Sequence, residues 1–316
     1  MTRKLNKIRL CFLLLIASVL FCFPMVRVNS LEISQQKQTH SIEDYHKFFL
    51  YPVVRIFSER VAGSGTIIYS EKDIRNPEEY LTFVLTNYHV IGNSITVSKE
   101  WNSILRRDIK KEIKEKVKVE NFQYINLSLI DSSNRYNADI IAYDQNHDLA
   151  ILMVNSPRQF PYTAKLIPED KIKDLRLFME VVITGCSLAH EPFSNFGQIT
   201  YLSEIIERKK YMMVNAGMYF GNSGGALFLK DSGWFIGVPS RLTGIQLGFG
   251  FDMITFMGFS AHPERLYEFL KEQELQFIYD PNDDYYGALE RRKRREKEAL
   301  MALKAEFIKD KEINPN

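Results

Sequence analysis

Short runs of β-type residues recur along most of this chain, and they restrict the folds that it can adopt. The runs are rich in Val, Ile and aromatic residues, and they cover residues 51–57, 66–69, 81–85, 95–97, 118–130, 139–144, 149–154, 181–185, 197–202, 211–215, 226–229, 234–238 and 248–254. Many short strands at close spacing, with glycine turns between them, are typical of all-β barrels and sandwiches. The sequence therefore predicts an all-β core, followed after Pro263 by a helix over residues 264–272.

The composition bounds the size of the core and the kinds of partner. With 316 residues, of which 45% are hydrophobic, the chain can bury the core of one large domain or of two lobes. The net charge of +2 gives no overall basic field, so no nucleic-acid partner is expected. The 3 cysteines and 6 histidines show no zinc-ligand spacing, and Cys186 is the only cysteine outside the apolar N-terminal segment. We expect no metal, no cofactor and no disulfide within the body of the chain.

The N-terminal segment has the pattern of a secretory signal. Four basic residues lie within positions 1–9, and residues 10–26 are uncharged and strongly apolar. The apolar run is near the lower limit for spanning a bilayer, so cleavage and an uncleaved anchor both remain open. We expect export across a membrane, to the periplasm, the cell envelope or the medium, with membrane association if the signal is retained.

Changes in composition divide the chain into four parts. We expect a signal peptide or anchor at residues 1–30, a polar linker at 31–45, one domain at 46–275 and a charged helical tail at 276–316. Within the domain, residues 101–119 carry Ile109, Ile113 and Val117 at four-residue steps among many charged residues. That pattern fits either an amphipathic helix on the surface or a long charged hairpin.

A glycine-rich loop at residues 221–225, with the sequence Gly-Asn-Ser-Gly-Gly, is the strongest chemical signal in the chain. Glycines on both sides of Ser223 allow a sharp turn in which backbone N–H groups converge, although the same residues also suit an ordinary hairpin turn. A serine needs a base, and His89 follows the strand at 81–85. Asp148 opens the apolar run at 149–154, where a carboxylate can orient the imidazole.

Other residues near these positions are rivals for the same roles. Asp139 and Asp144 are alternative carboxylates, and His147 is an alternative base. Asp144 fits a turn, Asp139 fits the start of a strand, and His147 fits a loop, so Asp148 and His89 are preferred. Cys186 follows a glycine in a turn and is expected to be an inert buried thiol.

The motifs, taken in order, resemble the trypsin-like (chymotrypsin-fold) serine proteases of the bacterial HtrA/DegP-like branch. The matching segments are Gly-Ser-Gly at 63–65, Thr-Asn-Tyr-His-Val at 86–90, Asp-Leu-Ala-Ile-Leu at 148–152, Gly-Asn-Ser-Gly-Gly-Ala-Leu at 221–227 and Gly-Phe-Gly-Phe at 248–251. HtrA-type proteases carry PDZ domains after the protease, and too few residues follow residue 270 here to form one. Substrate capture by a PDZ domain is therefore not expected.

The resemblance implies a fold, an activity and a set of site residues. The fold is a two-lobed chymotrypsin-like double β-barrel with a C-terminal helix and the charged helical tail. The activity is peptide-bond hydrolysis through an acyl-enzyme, with His89, Asp148 and Ser223 as the catalytic triad. The backbone N–H groups of Gly221 and Ser223 form the oxyanion hole. Asn222 replaces the Asp that pairs with a new N-terminal amine in pancreatic-type relatives, so no activating cleavage is expected beyond signal removal.

The resemblance also locates the pocket that selects the residue before the cleaved bond. Gly217 lies at its floor and carries no charge, and Met218, Ser240 and Leu242 line it. Such a pocket favours small or medium apolar side chains such as Val, Ala or Leu. Asp252 supports a different preference. Gly250 and Asp252 lie on the same face of their strand, so if Gly250 borders the pocket, the Asp252 carboxylate can reach its base and favour Arg or Lys.

These observations favour an exported serine endopeptidase that acts on protein or peptide substrates. The alternative is a non-catalytic binding or adaptor module on a protease fold, which would use the charged segment at 101–125 and the basic tail as docking surfaces. All three triad residues stand in intact motifs, which favours the enzyme.

Overall fold

The computed structural model describes residues 40–59, 61–102 and 107–313, and all of these lie in the second of two units of the chain, residues 39–316. In chain order the strands are β1 (Val53–Ser58), β2 (Val61–Lys72), β3 (Tyr80–Thr86), β4 (Ile95–Asn102), β5 (Arg107–Lys114), β6 (Val117–Ile125), β7 (Leu129–Asp144), β8 (Leu149–Ser156), β9 (Lys165–Leu166), β10 (Glu180–Gly185), β11 (Phe193–Ile206), β12 (Lys209–Val214), β13 (Ala226–Leu229), β14 (Trp234–Leu247) and β15 (Gly250–Ala261). The α-helices are α1 (Ile42–Tyr45), α2 (Tyr88–Ile91), α3 (Pro263–Glu272) and α4 (Tyr285–Ile313).

The first lobe is a closed antiparallel barrel with strand order β1-β2-β3-β8-β7-β6. Its interior is filled by aliphatic side chains from alternate positions, including Val54, Ile56, Val84 and Leu152, none of which is exposed. Burial of each such side chain contributes about 1.5–3 kcal/mol to stability. Because the closed barrel leaves no edge strand, the loops of this lobe lie at the two barrel ends.

The second lobe is built from the later strands in the order β13-β10-β11-β12-β15-β14-β9. An additional pairing of β13 with β14 joins six of these strands into a ring, and β9 pairs with β14 from outside as a parallel strand. Val181, Ile199, Val214 and Ile236 pack inside it. The predicted chymotrypsin-like double β-barrel is confirmed.

A third cluster of buried side chains joins the two barrels to the C-terminal helices. It contains Phe83 of the first barrel, Phe228 of the second, and Leu266 and Phe269 of α3. Helix α3 agrees with the prediction for residues 264–272, and its Leu266, Phe269 and Leu270 are buried as expected.

The C-terminal boundary differs from the prediction. Residues from 276 onward were expected to form a separate tail, but Phe277 and Ala288 are buried in the cluster that joins the barrels. Tyr285 packs against Phe277 at 5.8 Å between ring centroids. The tail is helical as predicted. Its first turns are part of the protein core, because their apolar residues pack in the cluster that joins the barrels.

The N-terminal boundary also differs. The predicted linker at 31–45 includes α1, whose first turn is capped by Ser41: Ser41 Oγ accepts a hydrogen bond from the Asp44 N–H, and Asp44 accepts one from the Ser41 N–H. Residues 1–30, the predicted signal, lie outside the described residues. Within the described ranges, no helix is long and apolar enough to cross a membrane.

The charged segment after residue 95 is a hairpin, and the helical alternative for it is wrong. Strands β4 and β5 pair with each other alone, from Ile95 opposite Lys114 to Asn102 opposite Arg107. Ile109 and Ile113 lie on one face of this hairpin, opposite Glu100 and Thr96. A spacing of four residues is a multiple of the two-residue strand period and is also one helical turn, so the pattern could not separate the two structures.

Candidate active site

His89 and Asp148 form the most direct contact among the predicted site residues. Strand β3 ends at Thr86, and the short helix α2 then turns His89 outward, with 45% of its side chain exposed. His89 Nδ1 lies 3.0 and 2.9 Å from the two carboxylate oxygens of Asp148, and the His89 backbone N–H donates to Oδ1 at 3.0 Å. Because a carboxylate only accepts, Nδ1 carries the proton and Nε2 is left as the basic nitrogen.

Asp148 is held by contacts on every side. Its backbone adopts a left-handed conformation with φ of 54°, which is uncommon for a residue with a side chain. Ser240 Oγ donates to its Oδ2 at 2.7 Å, and Asn87 Nδ2 donates to its carbonyl oxygen at 2.7 Å. Burial alone would raise the pKa of Asp148, but the hydrogen bonds and charge of His89, with the bond from Ser240, hold that pKa below its ordinary value. The carboxylate is therefore ionised at neutral pH.

Ser223 lies on the loop between β12 and β13, and two glycines give this loop its shape. Gly221 and Gly224 have φ angles of +96° and +83°, which a side chain would strain. A Cβ on Gly224 would lie 2.2 Å from the Ser64 carbonyl oxygen and 3.1 Å from the Asn87 nitrogen. The loop that carries Ser223 thus packs directly against the residues that lead into α2 and His89.

Two backbone donors in this loop have no acceptor. The Phe220 carbonyl oxygen accepts a hydrogen bond from the Leu188 N–H at 2.7 Å, and since the peptide is planar and trans, the Gly221 N–H points the opposite way. Within the described part of the chain, neither the Gly221 N–H nor the Ser223 N–H makes a hydrogen bond. The two predicted oxyanion donors are therefore available to a ligand.

The Ser223 hydroxyl itself is also unbonded. Among the described residues, Ser223 Oγ makes no hydrogen bond, either to His89 or to another group. The structure brings His89 and Asp148 into direct contact, and it joins Ser223 to the first barrel through the Ser64 N–H, which donates to the Ser223 carbonyl oxygen at 2.9 Å. A bond between a serine hydroxyl and a histidine base is often long in sites without substrate and tightens when the substrate binds.

Asn222 is buried, with 1% of its surface exposed. Its Oδ1 accepts a hydrogen bond from the Ser187 hydroxyl. Because the Asn222 side chain is neutral and makes its hydrogen bond inside the protein, it offers no buried charge with which an N-terminal amine could pair.

The residues predicted to line the specificity pocket lie in or beside the second barrel. Leu242 is partly buried against the second barrel core, and Met218 is buried there with 2% exposure. Asn195 Nδ2 donates to the Gly217 carbonyl oxygen at 2.9 Å, and the Tyr219 hydroxyl lies 3.3 Å from where a Cβ on Gly217 would stand. Ser240 was placed in the pocket, but its hydroxyl is bonded to the Asp148 carboxylate instead.

The alternative that relied on Asp252 supposed that Gly250 borders the pocket. The register places Gly258, not Gly250, opposite Leu242, and the Met218 sulfur lies 2.9 Å from where a Cβ on Gly258 would stand. Gly250 pairs with Leu247 at the far end of the β14–β15 hairpin, and Asp252 is exposed opposite Ile245. Along β14, the partner of Gly250 lies five positions from Leu242 and the partner of Asp252 lies three, which correspond to about 17 and about 10 Å.

The rival carboxylates and the rival base have other partners. Asp139 is exposed and pairs with Lys116 at 3.3 Å, and Asp144 Oδ1 accepts from the His147 N–H at 2.7 Å. His147 Nε2 lies 3.4 Å from a Glu272 oxygen. Cys186 is buried, and burial raises the pKa of its thiol to about 12, so it is not a reactive thiolate. No group of three or more His, Cys, Asp or Glu side chains within the described ranges could hold a metal ion.

Three side chains that shape the site were not predicted in these roles: Ser64, Asn87 and Ser240. Ser64 and Asn87 lie within the motifs at 63–65 and 86–90, so the motifs pointed to them without indicating their contacts. Ser240 bonds to a residue 92 positions away, and no local pattern marks that contact.

Two antiparallel barrels with a histidine–carboxylate pair and a glycine-rich serine loop at their junction define the trypsin-like class of serine peptidase. The chain belongs to the trypsin-like peptidase domain family, whose sequence profile matches residues 63–238. The predicted resemblance to that family is confirmed. A search of the curated proteins returned no match to this chain.

A solved structure of an HtrA-type protease shares this fold. The HtrA-type protease AlgW, solved with a tripeptide, is 16% identical with a TM-score of 0.51, and the match covers 75% of this chain and 64% of the AlgW chain. The structure of Deg5 is 19% identical with a TM-score of 0.49, and that match covers 75% of this chain and 94% of the Deg5 chain. The match thus spans less than two thirds of the AlgW chain, and at this identity the AlgW likeness shows the fold alone.

Proposed function

We propose that this protein is a serine endopeptidase in which Ser223 is the nucleophile, His89 the general base and Asp148 the group that orients the base. The observation that carries the proposal is the contact of His89 Nδ1 with both carboxylate oxygens of Asp148, at 3.0 and 2.9 Å. This contact fixes the imidazole tautomer with Nε2 as the basic nitrogen, the form that can accept a proton from a serine hydroxyl.

The first half of the reaction forms an acyl-enzyme. Ser223 Oγ attacks the carbonyl carbon of the peptide bond as its proton passes to His89 Nε2, and the ionised Asp148 stabilises the resulting imidazolium. The oxygen of the tetrahedral intermediate receives the backbone N–H groups of Gly221 and Ser223, which have no other acceptor in the described part of the chain. The intermediate then collapses: the C–N bond breaks, and His89 returns the proton to the departing amine.

The second half releases the acyl group. A water molecule gives its proton to His89 Nε2 as its oxygen attacks the ester carbon, and the same two N–H groups bind the new oxyanion. When the ester C–O bond breaks, the proton passes to Ser223 Oγ and the free enzyme is restored. The chain's own groups suffice for both halves, with water as the second substrate.

For the substrate, we propose a preference for cleavage after small or medium apolar residues. Gly217 brings no charge, Met218 and Leu242 are apolar, and Asp252 lies at the exposed end of a hairpin. An Arg or Lys side chain in such a pocket would lose its hydration without gaining a carboxylate partner.

For the setting, we propose an exported HtrA-like protease that acts on proteins outside the cytoplasm. The support is the basic start and the apolar run of residues 10–26 in the sequence, together with the shared fold of the AlgW structure. Carbonate extraction of membranes from expressing cells separates an anchor, which stays with the membrane, from a cleaved signal, which releases the protein. A full-length protein found in the cytosol would contradict export.

The activity is tested by labelling the full-length protein with a fluorophosphonate probe, which reacts with an activated serine. We expect labelling of the wild type and none of Ser223→Ala, whose fold should be unchanged because the hydroxyl makes no hydrogen bond within the described part of the chain. A folded wild type that takes up no probe would favour the binding or adaptor module instead.

A further inference from the structure

Arg265 is a buried charged residue outside the proposed triad. It lies in the first turn of α3 with 5% of its surface exposed. Its Nη2 donates to the His147 carbonyl oxygen, and its Nη1 donates to the Lys210 carbonyl oxygen at 3.2 Å. Its guanidinium lies 4.5 Å from the centroid of the Tyr211 ring. Among the described residues no carboxylate lies within ion-pair distance of it, so two carbonyl groups and an aromatic face compensate this charge.

The His147 carbonyl is the last group before Asp148. Because the peptide between them is planar, fixing this carbonyl also fixes the Asp148 N–H and the start of the Asp148 backbone. The next carbonyl, that of Asp148 itself, is held by Asn87 Nδ2 at 2.7 Å. Side chains therefore hold both peptides that flank Asp148: Arg265 of α3 holds the one before it, and Asn87, just after β3, holds the one after it. Between them Asp148 keeps a left-handed backbone with φ of 54°.

Helix α3 makes further contacts with the same loop. The Glu272 carboxylate lies 3.4 Å from His147 Nε2, and the Phe269 ring lies 6.3 Å from the His147 ring between centroids. On the other side, Asp144 accepts a hydrogen bond from the His147 N–H. Helix α3 thus contacts the loop of the first barrel that carries Asp148. The bond from Arg265 is the contact nearest to Asp148.

We propose that Arg265 is a positioning residue that holds the peptide between His147 and Asp148 so that the Asp148 carboxylate faces His89. This inference rests on the proposed function, because it assigns Arg265 an effect only through the orientation of the general base. Arg265 touches neither His89 nor Ser223 in the structure, so its loss should alter the rate of the chemical step and leave probe binding unchanged.

The test measures fluorophosphonate labelling of the full chain over a range of probe concentrations. This gives the maximal labelling rate, kinact, separately from the half-saturating concentration, KI, and needs no known peptide substrate. The variants are Arg265→Met, which removes all donors, and Arg265→Lys, which keeps one charged donor group. Arg291→Met is the matched control, since Arg291 is a partly buried arginine bound to Asp283 and Glu274 away from Asp148. Thermal unfolding checks that each variant folds.

We expect Arg265→Met to lower kinact by about 100-fold, the effect of a displacement of about 1 Å, and Arg265→Lys to lower it by about 10-fold. KI should stay within twofold, and Arg291→Met should label like the wild type. If Arg265→Met does not fold, the kinact of Arg265→Lys alone tests the proposal. A kinact for Arg265→Lys equal to that of the wild type would overturn the proposal.

A second measurement shows whether Arg265 acts through Asp148. In an Asp148→Asn background the added Arg265→Lys change should cost less than twofold in kinact, because the carboxylate that it positions is gone. A full 10-fold loss in that background would overturn the proposal and assign Arg265 a merely structural role. Failure of the proposed function looks different, since the wild type itself would then take up no probe.

Discussion

Ser64 Oγ donates a hydrogen bond to the Gly221 carbonyl oxygen at 2.6 Å, which joins the first barrel to the Ser223 loop of the second. The same hydroxyl accepts from the Cys186 N–H at 2.7 Å, and the Ser64 N–H donates to the Ser223 carbonyl oxygen at 2.9 Å. One residue of β2 therefore fixes the carbonyl groups of both proposed oxyanion residues. Ser64 thereby fixes the two peptides that follow Gly221 and Ser223 in the chain and so limits how this loop can move.

Replacing Ser64 should weaken both stability and labelling. Ser64→Ala leaves the buried Cys186 N–H and the partly buried Gly221 carbonyl without this partner, so we expect a loss of about 1–3 kcal/mol in the free energy of unfolding. Urea unfolding measures this loss, and fluorophosphonate labelling of the still-folded variant should be slower. Ser98→Ala is the control, because Ser98 lies on the β4–β5 hairpin and its Oγ is bonded only to the Lys111 carbonyl, at 3.4 Å. Equal behaviour of the two variants would contradict the role of Ser64.

Replacing the Asp148 carboxylate should lower activity far more than replacing the Asp139 carboxylate. Asp148→Asn puts an amide where His89 Nδ1 needs an acceptor and favours the wrong tautomer, so we expect turnover to fall by about 10⁴-fold. Peptide hydrolysis or probe labelling measures it. Asp139→Asn is the control, since Asp139 is exposed and paired with Lys116, and it should retain wild-type activity. If Asp148→Asn stays nearly as active as the wild type, Asp148 is not the group that orients His89.

Cleavage-site profiling on a peptide library tests the proposed pocket. We expect cuts after Val, Ala or Leu in the wild type, and the same profile in Asp252→Ala, because Asp252 is exposed opposite Ile245 on the β14–β15 hairpin. Dominant cleavage after Arg or Lys that disappears in Asp252→Ala would show that the hairpin folds back onto the pocket.

His262 should make stability depend on pH. Burial, with the nearby positive charges of Lys210 and Arg265, lowers the pKa of His262 to about 4, although Glu264 acts in the opposite direction. The unfolded chain has an ordinary histidine pKa of about 6.5, so between these values it binds more protons than the folded protein. Stability should therefore fall as pH decreases from about 6.5 to 4, by up to about 3 kcal/mol from this residue.

Urea unfolding at a series of pH values measures the effect of His262. His262→Asn keeps an acceptor for the Glu264 N–H, the cap that His262 Nδ1 now provides, and cannot take up the proton. We expect a flatter stability profile over this window for His262→Asn, and a wild-type profile for the exposed His190→Asn. Identical slopes for the wild type and His262→Asn would refute the assignment.

The sequence by itself determined most strands of the two barrels and the turn at the glycine-rich loop that carries Ser223. Both depend on local patterns: alternation of apolar residues over a few positions, and glycines where a turn needs a positive φ. It also indicated His89, Asp148 and Ser223, because each follows or opens a strand in a motif that can be recognised within five to seven residues.

Tertiary structure decided what local patterns leave open. The segment after residue 95 is a hairpin because β4 and β5 pair along their length, whereas the spacing of Ile109 and Ile113 fits a helix equally well. The register of the β14–β15 hairpin, which sets Gly258 opposite Leu242 and Asp252 opposite Ile245, is likewise a feature of the fold that the alternation along one strand does not give.

The contacts of Asp148 depend on the fold in the same way. Ser240 lies 92 positions from Asp148, and Arg265 lies 118 positions from His147. These residues meet only because the closed barrels and the C-terminal helix bring distant strands and loops to one junction. Hydrogen bonds between such residues depend on distances of about 3 Å in three dimensions, which no periodicity along the chain encodes.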